Sequence, residues 1–237
     1  MSENNNKPLA VISGGSGYLG TAIRAALERK GWVVVTLGKT KSEDLISFLC
    51  DITNEAETLS TINHIVSVYG NINACIHAAT APVSSKVGID SMTVESFDSQ
   101  INVAAKGAFL FAKAALPNMG KDSAFIGITT ALIEPGTSLQ PMGAYITAKY
   151  ALRGFLRSLS EEVRLKNIRV YAVAPGFLPG GLNKGIPEAV LKFLGKKSGA
   201  GDAKIEDVVS VIEKICTEPS AYPQGSSITI PGKINPL

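Results

Sequence analysis

Short apolar runs alternate with longer amphipathic stretches along almost the whole chain. The runs are rich in valine, isoleucine and leucine and are bounded by glycine, proline or polar residues, which predicts buried β-strands. Because the runs are apolar on both faces, they are typical of a parallel sheet that helices cover on each side. The predicted strands are 9–12, 32–37, 48–50, 74–77, 124–129, 168–174 and 227–230.

The stretches between these strands carry apolar residues at helical spacing. Strand and helix therefore alternate, without an internal repeat or a linker that would divide the chain. We predict a three-layer α/β/α fold with one domain, 8–237, after a disordered polar N-terminus, 1–7. The predicted helices run from the first glycine-rich loop to 30 and cover 53–69 (capped by Thr53 or Asn54), 93–118 (with an interruption near 106–107), the region of Tyr145 to 166, 188–194 and 205–217.

Composition excludes several classes of function. The net charge of +3 is small, and no basic cluster is interleaved with aromatic residues, so we expect no nucleic-acid partner. Three cysteines and two histidines suit neither a disulfide framework nor a metal site. No apolar run has membrane-spanning length, and the polar N-terminus resembles no secretory signal. We therefore expect a cytoplasmic protein without a metal or a membrane partner.

Tyr145 and Lys149 are four residues apart, so a helix places both side chains on one face. Free tyrosine titrates near pH 10, and use of the phenolate at pH 7 requires stabilisation by about 4 kcal/mol. A nearby ammonium supplies part of that by Coulomb attraction, and a cationic cofactor could supply more. The pair predicts proton transfer, although the spacing alone is common enough to occur on an ordinary helix.

A glycine-rich loop follows the first predicted strand and precedes a predicted helix. Gly15, Gly17 and Gly20 have the spacing of a dinucleotide-binding loop, and Gly14, Gly17 and Gly20 have an even spacing of three. Such glycines let a pyrophosphate approach the backbone, and the helix N-terminus supplies amide donors and partial positive charge. The alternative is a glycine-rich turn that binds no ligand.

Several motifs, in this order along the chain, resemble those of the short-chain dehydrogenase/reductase family, from about Lys7 to Gly232. They are Ser13, Gly14, Gly17 and Gly20 in the cofactor loop (with Tyr18 where glycine is commonest), Asp51 after the third strand, the segment from His77 to Thr80 where the family has N-N-A-G, Tyr145 with Lys149, and Pro175 with Gly176. The resemblance implies a Rossmann-type doubly wound parallel sheet, with the cofactor and the active site at the carboxyl ends of the strands.

The resemblance also implies hydride transfer between a nicotinamide and a carbonyl or alcohol carbon. Tyr145 would be the general acid, and Lys149 would lower its pKa and hold the nicotinamide ribose. Thr130 falls in place of the family's substrate-binding serine, with Ser138 as the fallback. The implied cofactor-binding residues are Ser13, Gly14, Gly17, Tyr18, Leu19, Gly20, Lys39, Asp51, Ile52, Ala78, Ala79, Lys149, Pro175 and Gly176.

Two positions depart from the family pattern. Ala104 stands where an asparagine would kink the fourth helix and anchor a water, and Asn102 lies two residues earlier on another helical face. Gly180 stands where a threonine would contact the nicotinamide carboxamide. These departures motivate an alternative function, a dinucleotide-binding sensor or scaffold with little or no catalysis.

The second strand ends without the acidic residue that usually accepts from the ribose of NAD. Lys39 and Lys41 follow instead, with Thr40 between them, and could meet a 2′-phosphate. We therefore predict NADP rather than NAD, against the alternative that both lysines are simply solvated.

The segment 177–201 contains five glycines and is predicted to be a mobile lid over the substrate. Its lysines either form a solvated face or attract an anionic substrate or an acidic carrier protein, and Lys121 and Lys166 add basic charge elsewhere. We expect a ketone reductase, with 3-oxoacyl groups and small metabolites both open. The lysines of the segment are Lys184, Lys192, Lys196 and Lys197.

The resemblance implies a homodimer or homotetramer, in which the fourth helix and the helix of Tyr145 pair with a neighbour's copies. Small residues on the fourth helix predict a face for close helix approach, and the alternative is that this face packs on its own sheet. The residues are Ala104, Ala105, Ala108, Phe109, Ala112 and Ala115.

Overall fold

One sheet of eight strands organises the computed structural model, which describes residues 7–40, 46–82, 88–137 and 142–237. The predicted site residues Lys41 and Ser138 and residues 1–6 of the predicted disordered N-terminus lie outside the described residues. The strands are β1 (Leu9–Ser13), β2 (Val33–Gly38), β3 (Ser47–Leu49), β4 (Ile72–His77), β5 (Met119–Ile128), β6 (Arg169–Pro175), β7 (Ser226–Ile230) and β8 (Lys233–Pro236).

The strand order is β3-β2-β1-β4-β5-β6-β7-β8, and every neighbouring pair is parallel except β7 and β8. The chain moves outward from β1 to β2 and β3, then crosses back to β4 on the other side of β1. Loops after β1 and β4 therefore diverge and leave a crevice at the carboxyl ends of these two strands. This confirms the predicted doubly wound α/β fold. The short, mostly exposed β8 was not predicted, because its pattern contains too few apolar residues.

The helices lie on both faces of the sheet. They are α1 (Tyr18–Arg29), α2 (Glu55–Tyr69), α3 (Val94–Ile101), α4 (Gly107–Ala115), α5 (Gly143–Glu162), α6 (Glu188–Ser198) and α7 (Ile205–Thr217). Of the two predicted caps of α2, Asn54 is the one that caps the helix, since its side chain accepts from the Glu57 amide at 3.1 Å. The helix α6 continues past its predicted end at 194 and ends at Ser198, where Gly199 adopts the left-handed conformation of a helix cap.

Alternating residues of the strands point to two separate apolar layers. In β1, Leu9 and Val11 join the layer formed with α2, α4 and α5, whereas Ala10 and Ile12 join the layer formed with α1 and α7. The sheet is thus buried on both faces, as its uniformly apolar strands predict.

A π-helical turn, Asn102–Lys106, joins α3 to α4, and it ends at the interruption predicted near Gly107. Such a turn widens the helix by one residue and recurs at functional sites. Ala104 is buried inside this turn, whereas Asn102 is exposed.

The predicted small-residue face for helix pairing is wrong for most of its members. Ala108, Ala112 and Ala115 pack in the apolar layer against the chain's own sheet, and Ala104 is buried as well. Small side chains here allow α4 to approach the sheet closely. Phe109 points outward, and its ring meets that of Phe155 edge-on at 6.3 Å.

Within the described ranges, no helix combines the length and the apolar character that a membrane crossing requires.

Candidate active site

The glycine loop is shaped by contacts within the protein. Gly14 has φ of +74°, and a Cβ there would lie 2.7 Å from the backbone of Ala79. A Cβ on Gly20 would lie 2.3 Å from the carbonyl oxygen of Gly14, so only glycine fits at either position. Gly17 caps α1 without a side chain, which leaves the first amides of the helix to bind an anion.

Two cavities of about 340 Å³ each border this loop. One reaches Tyr145 and Lys149, and the other reaches Lys39 and Asp51. They share Gly14, Gly17, Ala78 and Thr80 in their linings, so together they form one elongated cleft across the loop. Each of the predicted cofactor-binding residues borders one cavity or both: Ser13, Gly14, Gly17, Tyr18, Leu19, Gly20, Lys39, Asp51, Ile52, Ala78, Ala79, Lys149, Pro175 and Gly176.

Thr80 indicates that the cleft is built for a polar ligand. Its hydroxyl oxygen is buried and has no hydrogen-bond partner among the described residues, and the residue borders both cavities. An unpaired buried hydroxyl is uncommon and is satisfied when a ligand supplies the partner. Thr80 and Ser16, which also borders the cleft, were missed as site residues. The position of Thr80 in the segment after β4 was the available signal for it.

The side chains of Tyr145 and Lys149 lie on the same face of α5, as their spacing predicts. The Lys149 Nζ atom is 5.6 Å from the centre of the Tyr145 ring and donates to the Ile128 carbonyl oxygen at 2.8 Å. Lys149 is only 4% exposed, and this burial lowers its pKa to about 8.

Thr130 lies at the end of β5 and is buried beside Tyr145. Burial raises the pKa of the Tyr145 phenol, and a hydrogen bond from Thr130 offsets only part of that effect. The sequence predicts a lowered pKa for Tyr145, but the net effect of the protein's own groups is to raise it. The phenol is held in its protonated form at neutral pH.

His77, at the end of β4, connects two parts of the site. The hydroxyl of Ser13 is 2.8 Å from its Nδ1 atom, and the carbonyl oxygen of Val103 in the π turn is 3.1 Å from its Nε2 atom. Burial, with a smaller effect of the Lys149 charge, lowers the pKa of His77 to about 3. The neutral ring then donates from Nε2 to Val103 and accepts at Nδ1 from Ser13. His77 was missed as a site residue, and its place in the family's N-N-A-G segment was the only signal.

Asn102 differs in burial from Ala104, which stands at the family's asparagine position. It is exposed on the outer side of the π turn, even though the helix is irregular at this point. In the same turn, the carbonyl oxygen of Val103 accepts a hydrogen bond from the His77 ring.

Lys39 and Asp51 are paired with each other at the far end of the cleft, 2.9 Å apart. Asp51 also accepts from the amide and the hydroxyl of Thr53, and the bond from Lys39 is the main reason that its pKa falls to about 2. Lys39 remains 71% exposed, so it can reach a ligand while staying near Asp51.

A third cavity of about 220 Å³ adjoins the cleft at Tyr145. Its described lining is mostly apolar, and the lysines of 177–201 are absent from it; Lys192 instead pairs with Glu188 on α6 at 2.9 Å. The predicted positive charge is therefore on the outer surface and not in the cavity. The lining is Thr130, Leu132, Met142, Tyr145, Gly176, Phe177, Leu182, Asn183, Ile186 and Leu194.

Among the described residues, no group of three histidine, cysteine, aspartate or glutamate side chains is placed to hold a metal ion.

Comparisons with known proteins agree with this geometry. A family model described as Enoyl-(Acyl carrier protein) reductase matches residues 21–232. The 3-oxoacyl-(acyl-carrier-protein) reductase of Rickettsia typhi is 26% identical over 236 residues, covering 94% of this chain and 95% of that protein. Momilactone A synthase of Oryza sativa subsp. japonica is 24% identical over 245 residues, covering 96% and 89%.

A short chain dehydrogenase from Burkholderia cenocepacia J2315, solved in complex with NADP, has the same fold, with a TM-score of 0.81 at 18% identity over 97% of this chain and 98% of that one. The chain belongs to the short-chain dehydrogenase/reductase family of NAD(P)-dependent oxidoreductases, as the sequence motifs predict. It binds a nicotinamide dinucleotide and acts on a small molecule.

Proposed function

We propose that the protein is an NADP(H)-dependent ketone reductase with Tyr145 as its general acid. One observation carries the proposal: Tyr145 and Thr130 border both the dinucleotide cleft and the apolar cavity beside it. A carbonyl group in that cavity can meet both hydroxyls while its carbon faces the cleft. The glycine loop, the helix amides and the unpaired Thr80 hydroxyl fit a dinucleotide in the cleft.

Tyr145, Thr130 and Lys149 have separate roles in the proposed reaction. When bound, a reduced nicotinamide would supply the hydride to the carbonyl carbon. The Tyr145 hydroxyl donates its proton to the carbonyl oxygen as that oxygen gains charge, and Thr130 donates a hydrogen bond to the same atom. The raised pKa of Tyr145 suits this direction, because the phenol carries its proton at neutral pH. Lys149, whose Nζ atom is 5.6 Å from the ring centre, would stabilise the phenolate that forms and would hold the nicotinamide ribose.

The apolar lining supports an uncharged ketone or the acyl part of a larger substrate. Curated relatives include reductases that act, by their names, on 3-oxoacyl groups of acyl carrier protein. We infer that a 3-oxoacyl substrate could enter with its chain in the apolar cavity, while the segment 177–201 covers it. A carrier protein would then contact only the outer lysines, and small ketones would need no carrier.

The NADP preference rests on Lys39, which is exposed at the adenosine end of the cleft where a 2′-phosphate would lie. Asp51 is close enough to limit the preference, since it already pairs with the same ammonium group. The assembly we propose is a homodimer or homotetramer in which the exposed Phe109 and Tyr150 contact a second copy. Light scattering at micromolar concentration tests this, and a monomer mass would contradict it.

Replacing Tyr145 with phenylalanine tests the proposed acid. Fluorescence titration with NADPH and NADH first establishes binding, and a panel of ketones and 3-oxoacyl thioesters then establishes turnover. We expect Tyr145→Phe to lower turnover by about 10²–10⁴-fold, because it removes a positioned proton donor. Cofactor affinity should stay within a few-fold. A variant that reduces a good substrate at the wild-type rate would refute the role, and wild-type binding without any turnover would favour the sensor or scaffold.

A further inference from the structure

Tyr18 makes a contact across the cleft that the catalytic groups do not explain. It is the first residue of α1, and its ring runs along the backbone of Gly180 and Gly181 on the opposite wall. A Cβ built on Gly180 would lie 2.8 Å from the ring's Cζ atom and 2.9 Å from Cε2. A Cβ built on Gly181 would lie 3.3 Å from the Cβ of Tyr18.

Two features disfavour a side chain at position 180. Gly180 has φ of +105°, a backbone conformation that residues with a side chain rarely adopt. The ring also fills the space that a side chain at position 180 would occupy. Both positions depart from the family pattern, one by gaining a ring and the other by losing a side chain.

The contact lies beside the half of the cleft that contains Tyr145 and Lys149. Tyr18, Gly180 and Gly181 all border this cavity, and Tyr18 is 42% exposed. The wall around Gly180 is a turn with its own hydrogen bonds: Asn183 donates from its amide to Gly180 and from its side chain to Leu178. The ring therefore rests on an ordered turn and connects it to the start of α1.

We propose that Tyr18 is a positioning residue for the nicotinamide half of the dinucleotide, a role that rests on the proposed cofactor binding. Its ring holds the turn of Gly180 against the glycine loop and forms the outer wall of the cleft at that point. In the described linings, the ring borders the half of the cleft with Tyr145 and Lys149 and not the half with Lys39. Removal of the ring should thus affect a whole dinucleotide and spare a ligand that lacks the nicotinamide nucleotide.

Two ligands distinguish an effect on the nicotinamide half of the cleft from an effect on the adenosine half. Tyr18→Ala should weaken NADPH binding by about tenfold, in the middle of the range for residues in contact, and leave adenosine 2′,5′-bisphosphate within twofold. Tyr18→Phe keeps the ring and should bind both ligands like the wild type. Equal losses for both ligands, tighter NADPH binding, or no change in Tyr18→Ala would each overturn the role.

A double-mutant cycle tests the partner. Gly185 lies in the same segment with φ of +87°, and no atom of the described residues lies within 4 Å of a built Cβ, so Gly185→Ala is a matched control for backbone strain alone. Gly180→Ala should weaken NADPH binding about fivefold more than Gly185→Ala, since only Gly180 also meets the ring. In a Tyr18→Ala background that excess should disappear. An excess that persists there would show that the ring is not the partner.

Hydrogen exchange of the protein alone gives a readout that needs no cofactor. Tyr18→Ala should speed exchange in peptides from 177–183 and leave α7 unchanged, and equal exchange in 177–183 would overturn the contact. Wild-type protein that binds neither NADPH nor NADH would refute the proposed function and the inference with it. Wild-type binding that Tyr18→Ala does not weaken would refute the inference alone.

Discussion

Two contacts join the sides of the cleft, and they differ in burial and in the kind of interaction. At the inner end, the buried ring of His77 hydrogen-bonds to Ser13 and to the π turn at Val103. At the outer end, the half-exposed ring of Tyr18 packs on the backbone of Gly180. Loss of the inner contact leaves polar groups unpaired in the interior, whereas loss of the outer one exposes a glycine turn to water. The inner contact should therefore control folding stability, and the outer one ligand binding.

Of the changes considered, acidification should lower the free energy of unfolding the most, through the inner contact at His77. The folded-state pKa of His77 is lowered from 6.5 to about 3, so the unfolded chain takes up the proton first as pH falls. The contribution of neutral His77 to the free energy of unfolding is complete above about pH 6.5 and is lost as the pH falls toward 3, by roughly 4 kcal/mol in total.

Urea unfolding at several pH values measures this loss. His77→Asn cannot titrate, so its unfolding free energy should fall less steeply than that of the wild type between pH 6.5 and 4. The exposed His64 provides the control, and His64→Asn should follow the wild type. Parallel curves for the wild type and His77→Asn would contradict the buried neutral ring.

An apolar replacement at the same position tests the hydrogen bonds at neutral pH. His77→Leu leaves the Ser13 hydroxyl and the Val103 carbonyl without their partner, which should lower the unfolding free energy by about 2–4 kcal/mol. Tyr18→Ala, at the outer end, should lower it by less than about 1 kcal/mol, because that side chain is half exposed. Chemical unfolding at pH 7 compares the two, and equal losses would remove the contrast between inner and outer contacts.

The exposed pair of Lys39 and Asp51 should resemble the outer contact, because its loss should change ligand binding more than folding stability. Lys39→Asp removes a phosphate partner and adds a repelling charge, so the preference for NADPH over NADH should fall by about tenfold or more. The unfolding free energy should change by less than about 1 kcal/mol, because a surface ion pair contributes little. Lys121→Asp makes the same charge change away from the cleft and should leave the ratio of the two affinities unchanged. A wild type that already binds NADH more tightly would refute the assignment.

The smallest effect is expected at Asn102. Because its side chain is exposed on the outside of the π turn, Asn102→Ala should leave the rate of reduction within about twofold. Steady-state kinetics with saturating cofactor measures this. A tenfold loss with intact cofactor binding would mean that Asn102 does take the role of the residue that Ala104 replaces.

Local sequence determined the elements and most of the cleft. Apolar runs predicted the seven parallel strands, because burial on both faces of a sheet requires them, and the short polar β8 lacks that signal. The even spacing of Gly14, Gly17 and Gly20 and the four-residue spacing of Tyr145 and Lys149 are geometric facts of one loop and one helix. The residues of the cleft follow from them, since strand ends in a parallel sheet meet at one edge.

Only the tertiary structure decided which distant groups meet. His77 contacts residues 64 and 26 positions away along the chain, and no local pattern encodes such pairings. The alanines of α4 face the sheet and not a partner because the helix approaches the sheet closely, a choice that helical spacing leaves open. The raised pKa of Tyr145 likewise depends on burial, which outweighs the hydroxyl beside it. Period and spacing are properties of neighbouring residues, whereas partners, burial and protonation arise from the packing of segments far apart in the chain.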